Sequence, residues 1–303
     1  MSSTTLTLRG EGSGQVFEAS YRVLGYRFGV RTDIPAVGRE LDRALTPFRA
    51  RGAPEGPVYS VRFRPRKRVY AASRGTRVLI ESEAADHALD YVLWDVNAEV
   101  IRRTDRYLMV HAGVVAWKRR GVVLPARMDS GKTTLSAGLV RAGFSYLSDE
   151  AALLDPGSGK VHPYPKSLTM EPEGLFALRM PPPHNVDWAA RPQRRRRHIL
   201  ANELRRGSVA MSAIPVRYVI APDYRPWGPT QIVPVSRAEG LHLLAKHAFN
   251  LERFGSTGLT ILRTALEDAK CYRLFVGNLE SAVRAVRELV VRGRSGVYVP
   301  GSE

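Results

Sequence analysis

Gly131-Lys132-Thr133 stands at a junction between two periodicities, and that junction constrains the fold more than any other stretch of the chain. Before it, Gly121-Val122-Val123-Leu124 is a short apolar run of strand type; after it, Thr134 to Val140 has helical spacing. A strand that enters a helix through Ala126-Arg127-Met128-Asp129-Ser130-Gly131-Lys132-Thr133 turns its backbone N–H groups inward, where the helix N-terminus adds favourable potential for an anion. A lysine at the end of such a turn reaches terminal phosphates, and the hydroxyl beside it takes Mg²⁺. Ala126, Arg127, Met128, Asp129, Ser130, Gly131, Lys132, Thr133 and Thr134 are therefore candidate nucleotide contacts, and Thr133 is also a candidate metal ligand. Ala126 holds the place usual for glycine, which the backbone allows if its φ is negative.

Two further groups lie near this loop in sequence. His111 ends a strand-like run, Tyr107 to Val110, and Asp149-Glu150 closes a second apolar run, Phe144-Ser145-Tyr146-Leu147. In a parallel β-α-β unit the C-terminal ends of adjacent strands sit side by side, so the acids are expected beside the phosphates. There a carboxylate can hold Mg²⁺ or take a proton from an incoming hydroxyl. Alone, His111 would read as a satisfied core histidine and Asp149-Glu150 as a solvated turn.

Taken together, these residues resemble the catalytic domain of the HPr kinase/phosphorylase family. Its members are bacterial enzymes that phosphorylate a protein serine and share the phosphoenolpyruvate carboxykinase-like P-loop fold. They carry a His-Gly pair on the strand before the loop, a Gly-rich loop ending in Gly-Lys-Ser/Thr, and an Ala-Asp-Asp triplet on the next strand. The matching residues are His111-Ala112-Gly113, Ser130-Gly131-Lys132-Thr133 and Ser148-Asp149-Glu150, with Ala126 for the first glycine, Ala112 inserted, and Glu150 for the second aspartate. The resemblance implies an α/β fold, a P-loop mixed sheet with flanking helices. It makes Asp149 the catalytic acid/base, Glu150 a metal-side carboxylate and His111 an electrostatic or hydrogen-bonding partner of the reacting group. The family segment tied to phosphorolysis has no counterpart here, so the chain looks more like the dispersed HPr-kinase-related branch, some of whose members phosphorylate a precursor peptide. Val161 to Leu168 resembles a stretch that runs past the phosphates in that branch, making Lys166, preceded by Pro163 and Pro165, a candidate second phosphate contact; an exposed lysine on an edge strand is the alternative.

The expected activity is ATP- and Mg²⁺-dependent phosphorylation of a serine or threonine on a small protein or peptide. A nucleotide-gated NTPase or switch module, and a kinase of free serine or a sugar, need the same cradle and acid. Net charge of +17 comes from 39 Arg and 7 Lys against 29 acids, and such an arginine bias also arises from a GC-rich genome. The cluster Arg191 to His198 suits an acidic peptide, because arginine forks pair bidentately with carboxylates and phosphates. No zinc finger, aromatic RNA-binding strand or helix-turn-helix accompanies it, so nucleic acid is not the expected ligand. One cysteine, Cys271, excludes an internal disulfide, and its strand-like surroundings suit a buried structural thiol. No apolar run approaches the ~20 residues of a spanning helix and the N-terminus lacks an export pattern, which favours a cytoplasmic protein without a membrane partner. A homo-oligomer is compatible with all of this.

A boundary is expected near residue 104. It separates a small α+β region, 1–104, from a nucleotide-binding domain, 105–303. The first part reads as strands at 21–30, 58–63, 69–72 and 77–81, a helix at 37–48, and an amphipathic helix at 84–102 that would dock it onto the second. Beyond Asp149, Met180 to Arg206 reads as a lid or peptide-binding strip. Strands follow at 214–222, 230–235 and 271–276, with helices at 237–250, 255–267 and 279–292.

Overall fold

A computed structural model describes residues 16–127, 130–181, 196–226, 228–294 and 296–298. The chain divides into two compact units, 1–104 with 181–197, and 105–180 with 198–303. Most of the expected lid, including Arg191, Arg194 and Arg195, lies outside the described residues.

The first unit opens with a hairpin of β1 (Phe17–Val23) and β2 (Tyr26–Thr32). The alternation that reads as one strand over 21–30 is broken at Leu24-Gly25, whose φ angles of 47° and 92° make a two-residue turn matching the strand twist. Asn or Asp is the usual first residue of such a turn, so Leu24 conceals it. α1 (Pro35–Leu45) starts on a proline that fixes φ, and it gives way to a 3₁₀ turn, Thr46–Phe48, at Pro47. β3 (Arg49–Ala50) pairs with β1, whereas β4 (Val58–Arg64) pairs with β2, so residues 51–57 must cross the sheet. Gly29 permits the crossing, since a Cβ there would lie 2.5 Å from Pro54 Cβ. With β5 (Val69–Arg74) and β6 (Arg77–Ser82) the sheet order is β3-β1-β2-β4-β5-β6, and only the β2–β4 pair is parallel.

α2 (Ala85–Arg103) buries Ala88, Val92, Val96 and Val100, and it packs on β4, β5 and β6. The face expected to dock two domains thus serves this sheet. Two acids on that face, Asp95 and Glu99, are buried and partnered. Tyr59 Oη donates to Asp95 at 2.9 Å, and Arg74 lies 3.2 Å from Asp95 and 2.7 Å from Glu99. Arg102 and Arg103 also bind Glu99, at 2.7 and 2.8 Å. Hydrogen bonds from Arg102, then Arg103 and Arg74, hold the Glu99 carboxyl far below the usual carboxylate range, against the opposing effect of burial. A depressed folded-state pKa contributes stability above the unfolded value of ~4.3 that is lost as pH falls through the folded value. Thermal melting of the parent protein is therefore expected to lose stability on acidification below that value, and Glu99→Gln, less stable at neutral pH, should lose less.

The second unit is built on a nine-stranded mixed sheet. In chain order its elements are β7 (Leu108–Trp117), β8 (Arg120–Pro125), α3 (Lys132–Arg141), β9 (Ser145–Ser148), β10 (Ala151–Leu154), β11 (Val161–His162), β12 (Leu168–Met170), α4 (Pro172–Ala177), β13 (Arg197–Ile199) and α5 (Ala201–Leu204). Then come β14 (Val216–Tyr224), β15 (Thr230–Val235), α6 (Arg237–Lys246), α7 (Thr257–Leu266), β16 (Lys270–Val276), α8 (Leu279–Arg287) and β17 (Val297–Tyr298). The strand order is β11-β10-β7-β8-β14-β16-β15-β17, β9 joins on β7, and β12 pairs separately with β13. β14 runs parallel to β8 and β16, and the other described pairs are antiparallel.

Alternating residues feed two cores, as a sheet covered on both faces requires. Val115, Val122 and Leu124 join Leu135, Leu139 and Val286 on the side of α3 and α8. Val114, Ala116 and Val123 join Leu244, Ile261 and Leu262 on the side of α6 and α7. Each such fully buried Val, Leu or Ile side chain contributes roughly 1.5–3 kcal/mol relative to exposure. Cys271 lies buried in the second core, and burial raises its thiol pKa.

Two expectations of regular structure change. The helix read over 237–250 ends at Lys246, because His247 to Asn250 straighten to hydrogen-bond β7. The helix read over 279–292 is α-helical only to Arg287 and closes with a π turn, Glu288–Arg292. No helix among the described residues is long and apolar enough to cross a membrane.

Candidate active site

β8 and β9 run in the same direction, but β7 lies between them, antiparallel to both. The expected adjacency of two parallel strands is therefore replaced by a crossover that skips one strand. His111 does not end its strand, as expected, but lies near the start of β7. Antiparallel pairing then brings it to the loop: Ala112 faces Pro125, the last residue of β8, so the chain leaves β8 beside His111 and enters residues 126–131. Skipping β7 also explains the acids. β10 continues β9 along the other edge of β7, with Ser148 opposite Val114 and Ala151 opposite His111, so Asp149-Glu150 link the two strands in register beside Ala112-Gly113, and the one register shift falls at Leu147. Ser148 Oγ accepts from the N–H groups of Glu150 and Ala151 at 3.2 and 3.1 Å and fixes this link. The Ala112 N–H donates to the Glu150 carbonyl at 3.3 Å.

Of the stretch between β8 and α3, residues 126–127 and 130–131 are described. Gly131 has φ 76°, which a side chain would strain, and it is the N-cap of α3 without a side-chain cap. Ala126 is buried and does not have a positive φ, so alanine is compatible with its place. Met128 and Asp129 lie outside the described residues. The Ser130 hydroxyl oxygen is buried without a hydrogen-bond partner among the described residues. Thr133 and Thr134 are half-buried in the first turn of α3.

Lys132 departs from the picture of a lysine free at a loop mouth. It is only 6% exposed, and its Nζ lies 2.8 Å from His111 Nε2. An ammonium has no acceptor, so with Lys132 charged the imidazole accepts at Nε2 and carries its proton on Nδ1. Burial first, then the charge of Lys132, lower the His111 pKa to about 4, which makes the ring neutral at physiological pH. Gly113 sets the spacing. A Cβ there would lie 2.5 Å from Ser136 Oγ and 3.2 Å from Lys132 Cγ, one helical turn apart on α3. Gly113→Ala is accordingly expected to push α3 off β7, destabilise the protein by about 1–3 kcal/mol in denaturant titration, and weaken nucleotide binding.

The acids have their own cation. Asp149 is 4% exposed; Tyr146 Oη lies 2.9 Å from its Oδ1 and equally far from the Lys166 carbonyl, between which one proton is shared. Lys166 Nζ lies 3.5 Å from Asp149 Oδ1 and 3.5 Å from Glu150 Oε2. Lys166 is thus an enclosed counter-ion and not an exposed edge lysine. Burial alone would lower its pKa, but Asp149 and Glu150 outweigh it and raise the value. Glu150 is held low by Lys166 and Lys132 against the effect of burial, while burial and Asp149 keep the Tyr146 phenol protonated.

The residues fit a magnesium nucleotide. An uncapped helix start, a glycine in the left-handed region and a buried hydroxyl without a hydrogen-bond partner among the described residues are donors suited to phosphate oxygens. Thr133 and Glu150 offer the hard oxygens Mg²⁺ prefers, and Mg²⁺ characteristically takes one or two carboxylates with phosphate and water. No cluster of three or more His, Cys, Asp or Glu side chains among the described residues could hold a metal by itself.

No family model and no curated protein matches the chain. Among solved structures it is similar to an Hpr(Ser) kinase/phosphatase from Coxiella burnetii, with 11% identity, 61% of this chain and 94% of the other covered, and a TM-score of 0.31. A likeness of that size carries no argument, and the functional reading rests on the site.

His247 was missed by sequence reasoning. Its carbonyl accepts the His111 N–H at 2.7 Å, the Phe249 N–H donates to the Met109 carbonyl at 2.8 Å, and the Phe249 and His111 rings lie 5.3 Å apart. Asn250 brackets β7, its Oδ1 accepting from Met109 N at 2.9 Å and its Nδ2 donating to the Tyr107 carbonyl at 3.0 Å. Helical spacing up to Lys246 masked this segment.

Proposed function

We propose that the protein transfers the terminal phosphoryl group of ATP to a hydroxyl, with a serine or threonine of a small protein or peptide as the acceptor. The observation that carries this reading is the convergence at the start of β7: Lys132 on His111, and the Asp149-Glu150 link on the neighbouring edge, each acid paired with Lys166. Phosphoryl transfer asks a protein mainly to position its reactants and stabilise charge, and this arrangement supplies both.

Lys132 and the N–H groups of Ser130 to Thr133 hold the phosphates. Glu150 stays ionised and, with the Thr133 hydroxyl, is the place for Mg²⁺, which when bound neutralises phosphate charge. Asp149 accepts the proton of the incoming hydroxyl. Tyr146, which keeps its proton, and Lys166, which keeps its charge, orient that carboxylate. His111 remains neutral and directs the Lys132 ammonium. An acidic acceptor suits the net charge of +17.

The test is ATP consumption with Mg²⁺, measured alone and with peptides that carry serine, threonine or alanine at one position. Turnover that rises with the hydroxyl peptides and not with alanine is expected. Binding without acceptor-dependent turnover would mark a nucleotide-gated switch, and turnover with free serine or a sugar a small-molecule kinase.

A further inference from the structure

We propose that His247 is a further phosphate-contacting residue of this mouth, binding the same anion as Lys132 and the N–H groups of Ser130 to Thr133; the proposal rests on the phosphate-binding reading above. His247 to Asn250 run along the edge of β7 that β8 vacates at Pro125. The Val110–Ala248 bridge, the His111 N–H on the His247 carbonyl and the Phe249 N–H on the Met109 carbonyl fix that position through the backbone. His247 therefore follows the end of β8 along the sheet, on the side where the chain turns into the phosphate loop. Its side chain is half-buried.

The charges around it are the second observation. The groups that act on the His247 ring are Lys246 on its own element, Lys132 on α3 and Arg127 in the loop, all cationic, and His111 on β7 shares its field. The acids of the site, Asp149 and Glu150, lie on the opposite edge of β7 and are engaged by Lys166. A concentration of basic groups with its carboxylates across the strand is balanced by an anion entering from the loop side. Burial, then Lys246, Lys132 and Arg127, lower the His247 pKa, so the ring holds a proton less readily before the anion arrives. A polyphosphate screens those cations and favours the imidazolium. Binding then takes up a proton, and affinity falls as pH rises through the bound-state pKa of the ring.

The experiment is calorimetric titration of the full chain with ATP and with inorganic tripolyphosphate, between about pH 8 and about pH 6, for the parent, His247→Gln and Lys132→Ala. His247→Gln keeps the backbone carbonyl that holds His111. It is expected to lower affinity about tenfold near the acidic end, with a much smaller loss at the alkaline end, and to do so equally for both ligands. A parent-like affinity and pH slope in His247→Gln, while Lys132→Ala loses binding, would overturn the His247 proposal alone. Undiminished binding in Lys132→Ala would overturn the phosphate-loop reading and the His247 contact with it.

Discussion

Lys132→Ala is expected to lower ATP-dependent turnover by on the order of 10³-fold, since it removes a positioned cation from the place where transferred charge develops. The side chain's 6% exposure and its 2.8 Å contact with His111 Nε2 give it a structural part as well. Alanine leaves a gap and an imidazole nitrogen without its donor, at a cost of about 1–3 kcal/mol. Lys132→Met separates the two effects because it fills most of the space without the charge. Both variants should lose turnover to the same extent in steady-state assays, whereas chemical denaturation should find the methionine variant the more stable. Turnover retained by Lys132→Met would mean that the cation does not act on phosphate.

Asp149→Asn is expected to retain ATP binding and to lose acceptor phosphorylation by about 10²-fold or more, the contribution typical of a positioned general base. The amide keeps an oxygen for Tyr146, so the local backbone should survive. It cannot take a proton, and it leaves Lys166 with Glu150 as its one ionised partner of the two. Single-turnover transfer with saturating nucleotide isolates the chemical step. Near-parent rates there would move the proton acceptor to Glu150 and break the match to the family pattern at Asp149.

The strand, loop and helix around Gly131-Lys132-Thr133 were legible because each depends on local chemistry: an apolar run, a glycine with positive φ and helical spacing. His111 and Asp149-Glu150 were legible as residues but not as geometry. Their meeting depends on β7 lying between β8 and β9, and pairing order is a non-local property that residue periodicity does not carry. The Leu24-Gly25 turn escaped notice because only the backbone, and not the residue at position 24, has the usual turn character. Lys166 could be suspected from its prolines, yet its place between two carboxylates depends on residues 164–166 packing along β9, where the Tyr164 N–H reaches the Leu147 carbonyl. His247 carried no signal, since its role comes from a backbone bridge to a strand more than a hundred residues earlier.

The most direct test of the central claim uses γ-labelled ATP, Mg²⁺, the full chain and an acidic serine-containing peptide, with the labelled site located by fragmentation mass spectrometry. The account predicts label on the serine hydroxyl with the parent protein and background with Lys132→Ala and Asp149→Asn. Label released only as inorganic phosphate, or transferred equally well by all three proteins, would contradict it.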